Sequence, residues 1–442
     1  MHSSPKRTHS SAPHGLAPIA RAGWDISAAA HVCRRIGFGA SPEALERAVD
    51  VGFEQTVAEL ESRRSHDPAL TGKSVEKLLS LGNLTSLQSR WMALILGDGA
   101  PLLERVTLMW HGHFATSNSK VGDVRLMHRQ NELFRRHGLG DFRELFHLAA
   151  KDPAMLIWLD GNQNRVGSPN ENFAREVMEL FGLGIGGGYT ESDIKEAARA
   201  FSGWSVVGRK FVFRKEHHDS REKTIFGRGG VSTGEEAIDR VLEHPECSNW
   251  IARRLLSTFV AHEPARSDVE RFGQVLRDEG WNIGRTLSRI FRDPIFMDPG
   301  TRRSRIASPV ELVALVALST KSELAPLDAV RAAGVMGQTL FMPPTVKGWD
   351  GGRSWIDPGT WVARHNMLTD FALAKGLDGE LAFGKVKRGE AVDAVLAVLL
   401  PEGVEPEMRK ALEAAAASAH SDGHAVHKVA ALVLTSPEYH LV

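Results

Sequence analysis

Residues 168–204 read SPNENFAREVMELFGLGIGGGYTESDIKEAARAFSGW, and this stretch decides the fold class. Ser168-Pro169-Asn170-Glu171 puts a capping serine before a proline at the first helical position and a glutamate at the third, the pattern of a capping box. Helical spacing follows. Phe173, Val177, Leu180 and Phe181 make an apolar stripe, and Asn172, Glu176 and Glu179 fall at i, i+4 and i+7 on the polar side. Between Gly182 and Gly188 the chain is rich in glycine. It lacks the lysine of a GxxxxGK[ST] loop and a strand before it, so it reads as a tight turn and not as a phosphate cradle. Thr190-Glu191-Ser192-Asp193 then caps a second helix.

The same signals recur along the chain. Ser41-Pro42-Glu43 and Ser308-Pro309-Val310-Glu311 are further helix starts. Residues 312–319 are apolar nearly all round, which predicts a buried core helix, and Val392–Leu400 reads alike. Ala411–Ala419 is helical by alanine content. Strand signals are confined to Ser205–Phe213 and Lys223–Phe226, which predict a short β-hairpin excursion over 205–226, joined by the polar HHDSRE segment. No internal repeat period and no long linker interrupts the rest. The expected architecture is mainly α: a disordered arm over 1–22, then a single large helical domain over 23–442.

Composition narrows the function classes. Lysine plus arginine number 54 and aspartate plus glutamate 54, so no general positive field exists to hold a nucleic acid or an anionic membrane. No run of 18 apolar residues predicts a membrane span. The polar N-terminus has no signal-peptide core, so the chain as written reads as cytoplasmic; a start site upstream would make it exported or envelope-associated. Cys33 and Cys247 form no CxxC pair; they read as two reduced, buried residues, with a disulfide between them as the alternative.

Five segments carry candidate chemistry. His111 and His113, in WHGHF, are two residues apart, about 200° around a helix, so they read either as hydrogen-bonded core histidines or as a metal site that needs the helix to unwind at Gly112. Glu176 and Glu179 admit two readings: surface ion pairs with Arg175, or a carboxylate pair facing a cleft, where burial and like charge raise one pKa and create an acid and a base. Tyr189 follows the glycines and is one of two tyrosines. His218 and Asp219, ahead of Lys223, suit a polar loop, a metal ligand set or a substrate contact. Trp349 and Trp355, six apart among glycines, suit a flat platform for a sugar ring, or loop packing. Neither GxSxG nor HExxH occurs, and no Glu-x-x-His pair starts at Glu171 or Glu176.

Several strings, HVCRRIGFGASPE, WHGHFATS, DPAMLIWLD, NENFAREVMELFGLG, GGYTESDIKEAARAFSGW, HHD with its following Lys223, MGQTLFMPPTVKGWDGGRSW and LTSPEY, resemble, in that order, the bacterial family called domain of unknown function 1800. The likeness runs from about Trp24 to Tyr439. It implies a largely helical single domain and no assigned chemistry. It also implies frequent export and, as a partner, a protein of the domain-of-unknown-function 1501 family.

The combined expectation is a hydrolase or lyase with Glu176, Glu179, His111 and His113 as catalytic residues. Arg175, Asn172, Tyr189, His218, Asp219, Trp349 and Trp355 would contact a substrate such as a glycan. In a variant, a divalent metal sits on His111, His113 and Glu176. In the contrasting reading the protein is a non-catalytic helical scaffold or partner protein, its polar residues forming buried networks.

Overall fold

The computed structural model describes residues 23–64, 73–373, 383 and 385–442. The predicted 1–22 arm lies outside them. The chain is mainly helical, with two small two-stranded antiparallel sheets among the described residues.

The caps explain where helices begin. Ser308 Oγ accepts from Glu311 N at 3.3 Å while a Glu311 carboxylate oxygen accepts from Ser308 N at 2.6 Å, a complete capping box. Thr190 and Asp193 form another, and Ser41 caps the helix Pro42–Val51. Ser168 departs from expectation. The helix starts at Glu171 with Asn170 as its cap, and Ser168 instead makes a β-bridge with Arg165. The reason is tertiary: Asn164 Oδ1 accepts from Asn170 N at 3.1 Å, and Asn170 Nδ2 donates to Asp160 O at 3.1 Å, which holds Asn170 at the helix entrance. Glu171 is therefore free of a capping role and lies 3.6 Å from Arg175.

Two apolar cores share the structure. The first surrounds Trp110, Phe114, Phe134, Phe142, Phe146, Phe173 and Phe181. The second is built on the helix Pro309–Thr320, buried on almost every side as its composition predicts, with Leu84–Leu96, Ala391–Leu399 and Asp422–Leu434 around it. The helix Pro101–His113 runs along the seam. Its Glu104, 1% exposed, receives Arg135 Nε at 2.7 Å and Nη2 at 2.9 Å from the first core's side, and Trp91 Nε1 at 2.9 Å from the second. Trp158 packs against both cores.

The β excursion is correct in place and wrong in pairing. Ser205–Phe213 is itself a hairpin: β1 (Trp204–Val207) pairs with β2 (Lys210–Phe213). Lys223–Ile225 is β3 and pairs with β4 (Arg228–Val231), a strand outside the predicted range. Both connections are two-residue turns with positive φ at each position, Gly208 (54°) and Arg209 (66°), then Phe226 (52°) and Gly227 (70°). That is the mirror-image turn that tight hairpins favour. Gly-Arg and Phe-Gly are not its usual Asn-Gly or Asp-Gly residues, so the turns carried no sequence signal.

Candidate functional site

The helix Glu171–Glu176 passes into π-helical winding over Val177–Leu183. The last carbonyls of a helix need outside donors. Here Trp250 Nε1 donates to Leu180 O at 2.8 Å and His113 Nε2 donates to Phe181 O at 3.1 Å. The wide winding also brings Gly182 against the next layer: a Cβ there would lie 2.3 Å from Val241 Cγ1 and 2.9 Å from Val177 O. Gly182→Ala is expected to destabilise by about 1–3 kcal/mol through overpacking, read by urea unfolding; an unchanged midpoint would show that the segment can rewind. Gly184 (φ +81°) ends the segment, with the Trp250 ring where a side chain would stand.

On this segment Glu176 is 8% exposed, and its carboxyl has no hydrogen bond and no ion pair within salt-bridge distance among the described residues. Burial first, and the neighbouring Glu179 second, raise its pKa to about 7. Glu179 lies 3.6 Å from Arg175 and accepts from the Tyr189 hydroxyl, whose pKa burial and this carboxylate push up to about 12. Arg175 does not present a free fork. Its Nη1 and Nη2 are bound to Glu191 at 2.8 and 2.7 Å, and Glu171 and Glu179 flank it. Asn172 also turns away: its Nδ2 donates to Leu159 O at 3.1 Å, tying the helix start to the end of Pro153–Trp158. Arg175 and Asn172, expected as substrate contacts, are thus engaged with Glu191 and with Leu159 O.

The histidines do not join the carboxylates. Pro101–His113 stays helical through Gly112, so the two rings leave on different sides. His111 Nε2 accepts from Phe341 N at 3.1 Å, which requires the neutral ring, and burial lowers its pKa to about 3. His113 is buried against Phe181, and burial followed by the Arg254 charge lowers its pKa well below the usual range. Among the described residues no three His, Cys, Asp or Glu side chains gather as metal ligands would, so the site expected on His111, His113 and Glu176 is not assembled.

A pH effect follows. His111's folded pKa is about 3 against an ordinary 6.5, so the stability from its neutrality is full above pH 6.5 and is lost as pH falls towards 3. His111→Gln, whose amide oxygen can still accept from Phe341 N, should show a shallower fall in melting temperature between pH 6.5 and 4 than the parent protein. Parallel curves would refute this.

His218 and Asp219 also serve the fold. His218 Nδ1 is 2.8 Å from Ser202 O and its Nε2 is 2.9 Å from Ser232 O. Asp219, 3% exposed, is gripped by Arg221 and Arg199, which hold its carboxyl well below the usual carboxylate range. Lys223 Nζ donates to Ser232 O at 2.7 Å and to Asp219 O. Together they fasten both hairpins to the helix Glu191–Ala200. His218 and Asp219, expected as substrate contacts, hold backbone carbonyls and arginines here.

The tryptophan loop leads elsewhere. Gly348 (φ +80°) lies on the seam helix so closely that a Cβ would sit 2.4 Å from Gly112 O. Trp349 is half-buried with its ring 5.6 Å from His111, and Trp355 is buried. Both line a cleft of about 260 Å³, together with Trp250, Arg253, Arg254 and His262.

A family model described as "Protein of unknown function (DUF1800)" matches residues 31–441. The chain belongs to the DUF1800 family. No curated protein and no solved structure matches it. In this DUF1800 chain, two of the strings that carried the resemblance, WHGH and KGWDGG, meet where Gly348 lies against Gly112 beside the cleft. Cys33 and Cys247 are both free and buried, and burial pushes both thiols up. No helix among the described residues is long and apolar enough to cross a membrane. The cleft arginines escaped sequence reasoning. One signal was present: Arg253 and Arg254 have no acidic residue three or four positions away on their helix, whereas Arg135, Arg199 and Arg240 do.

Proposed function

We propose that the protein is a hydrolase or lyase acting on a polar substrate such as a glycan, with Glu176 and Glu179 as its acid–base pair. The observation that carries this is Glu176, a nearly buried carboxyl without a hydrogen-bond partner among the described residues and with a pKa near 7. A carboxyl raised by burial beside a second carboxyl is a usual means of placing an acid at neutral pH. Glu176 is then the proton donor. Glu179, placed by Arg175 and Tyr189, is the base. The π winding between them supports the reading, since such insertions are frequent at functional sites. Turnover of a glycan panel by the parent protein, and its loss in Glu176→Gln and Glu179→Gln, is the test.

A titration tests the protonation claim without any substrate. The folded pKa of Glu176 is about 7 against an ordinary 4.5, so the stability of its protonated form is full below pH 4.5 and lost as pH rises through 7. Glu176→Gln should melt like the parent at pH 4 and higher than the parent at pH 8. Equal melting temperatures at both pH values would refute a raised pKa.

A second reading, a non-catalytic scaffold or partner protein, is favoured by one observation: His111, His113 and His218 are all bound to backbone groups. Its partner, on the resemblance alone, is a protein of the domain-of-unknown-function 1501 family. A folded protein inactive on every panel member, with an ordinary Glu176 titration, would favour it.

A further inference from the structure

The cleft between the two cores holds more positive charge than its carboxylates answer. Glu311 receives Arg105 at 2.5 Å and Arg305 at 3.4 Å, and its charge also acts on the buried Arg35 and Arg364. Asp350 is answered by Lys347 at 3.5 Å. That leaves Arg253 and Arg254. Neither side chain has an ion pair or hydrogen bond among the described residues. The Nε of Arg254 and the Nε of Arg105 are buried without an acceptor. Buried donors in native structures nearly always have a partner, and these two lack one; the rest of the Arg254 side chain is half-buried and lines the cleft. The chain as a whole is neutral, with 54 positive and 54 negative side chains, so this local excess is not a reflection of composition. Beside these arginines stand the half-buried rings of Trp250 and Trp349.

We infer that this cleft binds a ring compound bearing an oxyanion, a sugar acid or a sugar phosphate, with Arg253 and Arg254 taking the anionic group and Trp250 and Trp349 the ring. A guanidinium fork matches the paired oxygens of a carboxylate or phosphate, and an indole face matches the apolar face of a sugar ring. The volume of about 260 Å³ suits one such ring rather than a long polymer. The site is separate from the Glu176–Glu179 pair, neither of which lines it. It stands whether or not that pair is catalytic.

The test is calorimetric titration of the whole protein with glucuronate, glucose 6-phosphate, glucose and inorganic phosphate. At least one charged sugar is expected to bind, and which one does distinguishes carboxylate from phosphate. Glucose should bind at least tenfold more weakly than that sugar, and phosphate alone more weakly too. Added sodium chloride should weaken the charged sugar only. Arg254→Ala should reduce its affinity tenfold or more; should that variant misfold by circular dichroism, Arg253→Ala on the more open side carries the same expectation. Failure of both charged sugars to bind, equal affinity for glucose, or an unchanged affinity in the folded arginine variants would overturn the inference.

Discussion

Glu104→Ala is expected to lower the unfolding free energy by about 3–5 kcal/mol, the usual range for removing one partner of a buried ion pair. The loss exceeds that of the Coulomb attraction alone. Arg135 is 8% exposed and donates to Glu104 through two nitrogens, at 2.7 and 2.9 Å. Without the carboxylate those donors stay buried and the charge loses its main answer; Glu132, at 2.6 Å from Nη1, is the only other carboxylate within salt-bridge distance of it among the described residues. The indole N–H of Trp91, fully buried, loses its acceptor at the same time. Because Glu104 stands on the seam helix and Trp91 belongs to the second core, the damage reaches both halves. Urea unfolding measures the loss. The exposed pair Arg266–Glu270 is the control, and Glu270→Ala should leave the midpoint where it was. The double variant Glu104→Leu with Arg135→Met should recover much of the stability, since apolar pairs replace buried ion pairs well. A single-variant loss no larger than that of the control would show that the seam does not depend on this pair.

The second large effect is on turnover. Glu176→Gln should lower kcat/KM by about 10²–10⁴-fold on whichever panel substrate the parent protein turns over, the usual contribution of a positioned general acid. The amide keeps the shape and the near-complete burial of the side chain, so the fold should survive while the proton is gone. Glu179→Gln should cost a similar factor through the base, whereas Glu191→Gln should act more mildly, since it loosens Arg175 without touching the pair. The parent's kcat/KM should fall as pH rises past about 7, where Glu176 ionises. A Glu176→Gln enzyme of full activity would end the acid–base assignment. A parent profile flat from pH 5 to 9 would do the same.

Much of the fold was legible because helix rules are local. A cap, a proline at the first position and an apolar stripe act within a few residues, so the starts at Ser41, Thr190 and Ser308 and the buried helix Pro309–Thr320 followed from neighbours in the chain. Ser168 misled because Asn164 and Asp160, six and ten residues from Asn170, outbid the local signal by holding that asparagine at the entrance. The second hairpin was missed because Phe226-Gly227 adopts a turn that other residues usually signal.

The candidate site was legible in part. The polar side of the 168–204 segment singled out Glu176 and Glu179, and Tyr189 does meet Glu179. His111, His113, His218 and Asp219 were chosen for their chemistry, yet each is committed to packing, backbone or arginine partners. A residue type names what a side chain can do; its partners decide what it does.

By itself, then, the sequence determined the helical class, the position of the glycine turn and β excursion, and a carboxylate pair on one helix, since all of these depend on spacings of a few residues. Only the tertiary structure decided the burial of Glu176 beside Glu179, the neutral ring of His111 and the gathering of Arg105, Arg254 and Arg305 into one cleft. Those properties depend on burial and on charges brought together from some two hundred positions of the chain, between Arg105 and Arg305, and no local pattern encodes them.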